Sequence, residues 1–169
     1  MTKLVIVNGT MGVGKSAVCK QLLQSLDHSV WLDGDWCWMM QPWTVNEENI
    51  IMVENNINFM LRSFLTNSSF KYVIFSWVLH RKEIIDRLLS RLADLEYEHQ
   101  LVTLICSAEA LRQRMHSDNR TEEQILRSLD RIRNYEATGI SSINTSDIGV
   151  NEVAARIIQL VSDDNAYIT

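Results

Sequence analysis

What this chain lacks narrows it before any motif does. It has one proline, Pro42, and six glycines in 169 residues, so long structureless linkers are excluded and most of the chain falls into regular elements. No stretch approaches the roughly 18 consecutive apolar residues of a membrane span. The apolar run Leu4–Val7 is short and soon broken by glycine, which is unlike a secretory leader. Cys19, Cys37 and Cys106 are odd in number and have no metal-ligand spacing, as expected of reduced thiols in a cytoplasmic protein. Net charge is −5, without a basic tail or Lys/Arg block. A broad nucleic-acid face and a membrane partner are therefore not expected, while a small anion can still bind locally. Nothing in the sequence fixes an oligomeric state.

What is present is a regular alternation of strands and helices. Apolar runs at 4–7, 29–33, 72–78, 101–106 and 142–145 predict strands. Helical spacing predicts helices at 15–26, from about 47 to 64, 82–98, 108–116, 122–135 and 151–161. Thr121-Glu122-Glu123-Gln124 has the form of a capping box. The 72–78 run is continuously apolar, as strands buried on both faces are. Residues 1–169 are long enough to form one domain with its own core. Strand–helix alternation predicts a parallel α/β sheet, with ligands at the carboxyl ends of its strands.

Gly9-Thr10-Met11-Gly12-Val13-Gly14-Lys15-Ser16 fits G-x-x-x-x-G-K-[ST], between a predicted strand and a predicted helix. Its glycines let backbone N–H groups from Gly9 to Ser16 and Ala17 turn inward around phosphate, at a helix N-terminus. Lys15 supplies a mobile positive charge for the β/γ-phosphates, and the Ser16 hydroxyl is a magnesium ligand. By chance the pattern arises in roughly one chain of this length per hundred. Nucleotide binding is the expectation.

The strand at 72–78 reaches Ser76 where an acid would normally anchor the metal, and no Asn/Thr-Lys-x-Asp motif of a GTPase occurs. Asp33 and Asp35, separated by Gly34 at the end of the second strand, can fill that gap. One would hold Mg²⁺ directly or through water, and the other would accept an acceptor hydroxyl's proton. Without the phosphate loop, the same residues would be a plain Asp-Gly turn.

On the residues GTMGVGKS and Leu32-Asp33-Gly34-Asp35 the chain resembles the small P-loop kinases of the shikimate, gluconate and adenylylsulfate kinase group. The D-x-D is most like the adenylylsulfate kinase form. The resemblance implies a three-layer α/β/α sandwich with a five-stranded parallel sheet of order 2-3-1-4-5, ATP as donor, and a short helical lid over 112–135. By that analogy Asp35 is the base and Asp33 lies nearer the metal. Where shikimate kinase has a glycine-rich loop, this chain has Trp77-Val78-Leu79-His80-Arg81, which argues against shikimate as acceptor.

The group closes arginines over its phosphates, and Arg112, Arg114, Arg120, Arg127, Arg131 and Arg133 lie in the matching segment. A solvated basic face is the plain alternative. The resemblance favours Arg120 as the catalytic arginine, Arg112 and Arg127 as nucleotide-binding residues, Arg131 after them, and Thr145 beside the base. On the acceptor side the candidates are Asp35, Trp36, Trp38, Arg62, Trp77, His80 and Arg81. The same residues serve equally as core tryptophans, a surface arginine and a turn histidine. The expected activity is transfer of the ATP γ-phosphate to a hydroxyl of a small molecule. An ATP hydrolase and a nucleotide-binding regulatory module are the alternatives.

Overall fold

A computed structural model describes residues 1–136 and 141–162; the side chains of Arg133, Asn134 and Glu136 lie outside that description. Five strands form one sheet: β1 (Thr2–Asn8), β2 (Ser29–Asp33), β3 (Tyr72–Trp77), β4 (Tyr97–Ile105) and β5 (Ser142–Asn144). All four pairings are parallel and the order is β2-β3-β1-β4-β5, as expected. The connecting helices are α1 (Lys15–Ser25), α2 (Glu47–Leu65), α3 (Lys82–Ser90), α4 (Ala108–Ser117), α5 (Glu122–Glu136) and α6 (Val150–Ser162), with a 3-10 turn at Gly34–Trp38.

Alternation along the central strand divides the core in two. Leu4 and Ile6 of β1 meet Val53, Ile57 and Leu61 of α2 and Ile85 and Leu88 of α3. Val5 and Val7 meet Val18 and Leu22 of α1, Leu111 and Met115 of α4, and Ile157 of α6. Each face is thus a separate helix–sheet layer, and together they make the α/β/α sandwich.

The boundary after α3 differs most from the sequence pattern. That pattern predicts a helix to about residue 98, yet α3 ends at Ser90, and β4 begins at Tyr97 instead of 101. Tyr97 to Gln100 pair in register with Thr2 to Val5 of the central strand, and Lys3 faces Glu98 at 3.5 Å. That pairing satisfies backbone groups of a polar segment whose own pattern carries no strand signal. The capping box forms: Thr121 N donates to Gln124 Oε1 at 3.1 Å, and Gln124 N to Thr121 Oγ1 at 3.3 Å. Among the described residues no helix is long and apolar enough to cross a membrane.

Candidate active site

The site lies at the carboxyl ends of β1, β2 and β3, in the loops that follow them. Asn8, fully buried, closes β1 and fixes its surroundings. Its Oδ1 accepts from Gly9 N (2.7 Å) and Leu79 N (2.8 Å), while its Nδ2 donates to Leu79 O (3.0 Å). One amide side chain therefore ties the start of the phosphate loop to the turn after β3. Gly12 has φ 84°, and a Cβ there would run into the Met115 side chain and stand 3.1 Å from Leu111. The loop is pressed against α4 where only glycine fits.

Around these two anchors the rest of the loop is held by side chains. Thr10 is buried, and its Oγ1 donates to Ser128 O in α5 at 3.1 Å. Met11 packs against the α1/α4 core, Val13 is buried within it, and Ser16 and Ala17 are exposed on the first turn of α1. Lys15 folds back over the loop, with Nζ donating to Gly9 O (2.9 Å) and Thr10 O (3.0 Å). Burial lowers its pKa and the Arg131 charge adds to that, while Asp35 and Asp33 oppose it.

The two acids reach this loop from β2. Asp33 pairs with Ser76 in the β2–β3 register, so the acid absent from β3 stands one strand over. Its Oδ2 accepts from Ser16 Oγ at 3.2 Å, and its Oδ1 from Asp35 N at 3.0 Å, capping the 3-10 turn that carries Asp35. Asp35 stands at the open mouth. Loss of water around its carboxyl raises its pKa, the Asp33 charge raises it further, and Lys15 and a hydrogen bond from Trp77 hold it down. Gly34 matters for room and not for an unusual backbone angle: a Cβ there would lie 2.6 Å from Trp77 Cγ. The indole is therefore pressed against the turn it hydrogen-bonds.

The segment 112–135 folds as α4 and α5 around a short joint. Arg120 N donates to Met115 O (2.9 Å) and Asn119 N to His116 O (3.0 Å), with Asn119 left-handed at φ 54°. That is a Schellman ending, followed at once by the capping box, so Arg120 is exposed on a defined joint. Arg112 pairs with Glu122 at 2.5 Å and Arg127 with Glu123 at 2.5 Å. Arg131 is near enough for its charge to act on Lys15 and His80. Arg114 binds Thr145 instead, through Thr145 O at 2.5 Å and Oγ1 at 2.9 Å, and reaches Val13 O at 3.3 Å. Thr145 is buried beneath it.

On the acceptor side, Trp36 is half exposed with its ring 5.0 Å from that of Trp31, and Trp38 lies 6.1 Å from Trp43. His80 follows the Asn8-anchored Leu79. Burial lowers its pKa, and the Arg131 and Arg81 charges act in the same direction. Arg62 is a correction. It lies fifteen residues beyond the start of α2, about 22 Å along a helix that runs away from the site. There it forms a double hydrogen bond to Asp94 at 2.6 Å, which holds the Asp94 pKa down at about 2. It joins α2 to the turn before β4, at the amino-terminal end of the strands and away from the phosphate loop.

A family model described as an AAA domain matches residues 5–138. The chain belongs to that AAA-domain family. Within it the chain has the small P-loop kinase fold. A cytidylate kinase of Buchnera aphidicola is 29% identical over 105 residues, covering 57% of this chain and 45% of that protein. The chain thus spans less than half the length of this curated relative. Among solved structures, the tunicamycin resistance protein of Deinococcus radiodurans aligns with a TM-score of 0.71 at 19% identity, over 95% of this chain and 96% of that one. Shikimate kinase from Acinetobacter baumannii aligns with a TM-score of 0.66 at 17% identity, over 98% and 96%. At these identities the structural likeness speaks for the fold.

Sequence reasoning misses or underweights three residues that shape the site: Asn8, Arg114 and Trp77. Asn8 carries a faint signal, a polar residue closing an apolar strand next to glycine. Arg112 and Arg114 flank the Leu111/Met115 stripe of α4 on opposite sides. Only the position of the phosphate loop, a tertiary fact, decides between them.

Proposed function

We propose that this protein is an ATP-dependent phosphotransferase that passes the γ-phosphate to a hydroxyl of a small molecule. The observation that carries this is the convergence of Ser16, Asp33 and Asp35 on one phosphate loop, with Asp33 bonded to Ser16 and the Asp35 turn capped by Asp33. The donor set fits ATP with Mg²⁺. Ser16 Oγ and the Asp33 carboxylate are hard oxygens at the loop, and no group of three or more His, Cys, Asp or Glu among the described residues forms a cage of its own. Few protein ligands plus phosphate oxygens and water is how Mg²⁺ is usually held beside nucleotides. Bound there, Mg²⁺·ATP supplies the phosphoryl group and part of the counter-charge.

This chain's own residues do the rest. Asp35 orients the acceptor hydroxyl and receives its proton. Lys15 and the loop N–H groups offset charge that develops on the transferring phosphoryl oxygens. Arg120, exposed on the α4–α5 joint, closes over the phosphates from the lid, and Arg114 with Thr145 borders the base. The setting is cytoplasmic, and the partner is a small acceptor, not nucleic acid or a membrane. Labelled ATP incubated with a metabolite pool tests the proposal. Label should move into one compound class with wild type and fail to move with Asp35→Asn. Equal phosphate release with and without the pool would make the protein a hydrolase; nucleotide binding with no turnover would make it a regulatory module.

A further inference from the structure

The acceptor half of the site has an unusual make-up, and two independent observations describe it. The first is charge. From Ser29 to Leu61 the chain has no Lys, Arg or His, while Asp33, Asp35, Glu47, Glu48 and Glu54 all fall within it. The nearby arginines do not repair this. Arg62 is held by Asp94 in the turn before β4, and Arg87 and Arg91 face Glu54 at 2.8 and 3.9 Å. Arg81 and Lys82, exposed at the start of α3, flank this side, and from the phosphate side Lys15 acts on Asp35 and Arg131 acts on both Lys15 and His80. The segment from Ser29 to Leu61 thus brings two carboxylates to the site and no cation of its own. An anionic acceptor would therefore compete with the nucleotide phosphates for Lys15 and Arg131, whereas carboxylates and phosphates are ordinarily met by arginines paired to them.

The second is apolar exposure. Of the twelve large hydrophobic side chains exposed among the described residues, seven lie in the short stretch from Trp36 to Met52, and the others are scattered. Trp36 is 51% exposed, Met39 84% and Trp43 65%. Scattered exposed apolar residues need no explanation, whereas a contiguous group beside a site marks recognition. Trp36 stands next to the base, since Asp35 and Trp36 share one turn, and the rest of the group follows it in the loop and the start of α2. Both tryptophans are backed by a second indole, Trp31 or Trp38, which holds the exposed rings in place.

We infer that the phosphoryl acceptor is an uncharged, hydroxyl-bearing molecule with a flat or apolar body lying on the exposed indoles that follow Asp35, Trp36 and Trp43, and neither a sugar acid nor a nucleoside monophosphate. This rests on the phosphotransferase reading and narrows its substrate class. The hydroxyl sits at Asp35, and the body lies across rings that have a wide face to offer and no charge to match.

Matched probes test it by saturation-transfer NMR on the full chain with Mg²⁺ and a non-hydrolysable ATP analogue: cytidine against cytidine monophosphate, and 2-phenylethanol against gluconate. The neutral member of each pair should receive saturation and its anionic partner should not. Stacking on an aromatic side chain is worth about 1–3 kcal/mol per base, so Trp36→Ala/Trp43→Ala should weaken cytidine about tenfold or more while nucleotide affinity stays as in wild type. If that variant does not fold, Trp43→Ala alone gives the same readout with a smaller loss. Saturation of the anions alone, of neither class, or of neutral probes equally in wild type and variant overturns the inference. So does a variant that only dissociates a dimer in sedimentation with probe binding intact, because the surface would then join two copies. Transfer of label to an anionic acceptor would keep the phosphotransferase reading and remove this one. Neutral probes bound with no transfer to any compound would remove the phosphotransferase reading and the acceptor role with it, leaving a surface that binds neutral ligands.

Discussion

The two halves of the site are built on opposite principles. On the phosphate side nearly every polar group is held by the protein itself: Asn8 against Leu79, Thr10 against Ser128, Lys15 against its own loop, Arg114 against Thr145. On the acceptor side, indoles and a methionine stand open to solvent beside Asp35. A triphosphate is the same ligand in every ATP-using enzyme, so its cradle can be fixed in advance, and preorganised groups need not rearrange as charge develops. An acceptor is particular to one protein, and its recognition falls to side chains on a loop. The common half can be read from a motif. The particular half has to be read from chemistry.

Mutations at either end should separate these halves. The largest effects are expected from the phosphate side and its lid. Arginines that complete phosphoryl-transfer sites are worth about 10³–10⁵ in rate, so Arg120→Ala should reduce turnover by about 10³ while leaving nucleotide affinity within about tenfold, checked by steady-state kinetics and calorimetric titration. Unchanged turnover would assign Arg120 to the solvated face of the lid.

Next comes the wall between the halves. Trp77 donates a hydrogen bond that favours the charged form of Asp35. Removing it with Trp77→Phe should raise the Asp35 pKa further. Because the base must be ionised to accept a proton, the acid limb of the kcat/KM–pH profile should move to higher pH. Gly34→Ala drives a Cβ into the rigid Trp77 ring at 2.6 Å, and overpacking of this kind costs about 1–3 kcal/mol. Its thermal midpoint should fall and the same pH limb should shift. The smallest effect belongs to Arg62→Ala, far from the site, which should leave acceptor KM unchanged and lower the thermal midpoint slightly. A raised KM would mean that the acceptor reaches much farther down α2 than the position of Asp35 allows.

The strands, the helices and the phosphate loop are legible in the sequence because each rests on a local pattern: apolar runs, helical spacing, a glycine motif. The sheet order follows only from the family resemblance. The end of α3 is not, because Tyr97 to Gln100 become strand only by pairing with β1. The acids are legible as a pair through the D-x-D spacing, but the reason for Gly34 is not. The spacing suggests a sharp turn, and the structure shows a close approach to Trp77. Arg62 is misplaced by sequence alone because a helix's apolar stripe gives the face of a residue and not how far along the sheet it lies. The surface running on from Asp35 shows in the sequence only as tryptophans that suit a core and a binding face equally well. Its exposure and its lack of cations decide how it is read.

Whether Asp35 acts on the acceptor and not on the nucleotide is tested most directly by Asp35→Asn, because the amide keeps the shape and removes the base. General-base contributions run to about 10²–10⁴ in rate. Phosphoryl transfer from labelled ATP to the acceptor pool should therefore fall by at least about 10², with ATP binding within about threefold of wild type by calorimetry. Transfer at the wild-type rate, or a loss that comes entirely from failed ATP binding, would contradict that role.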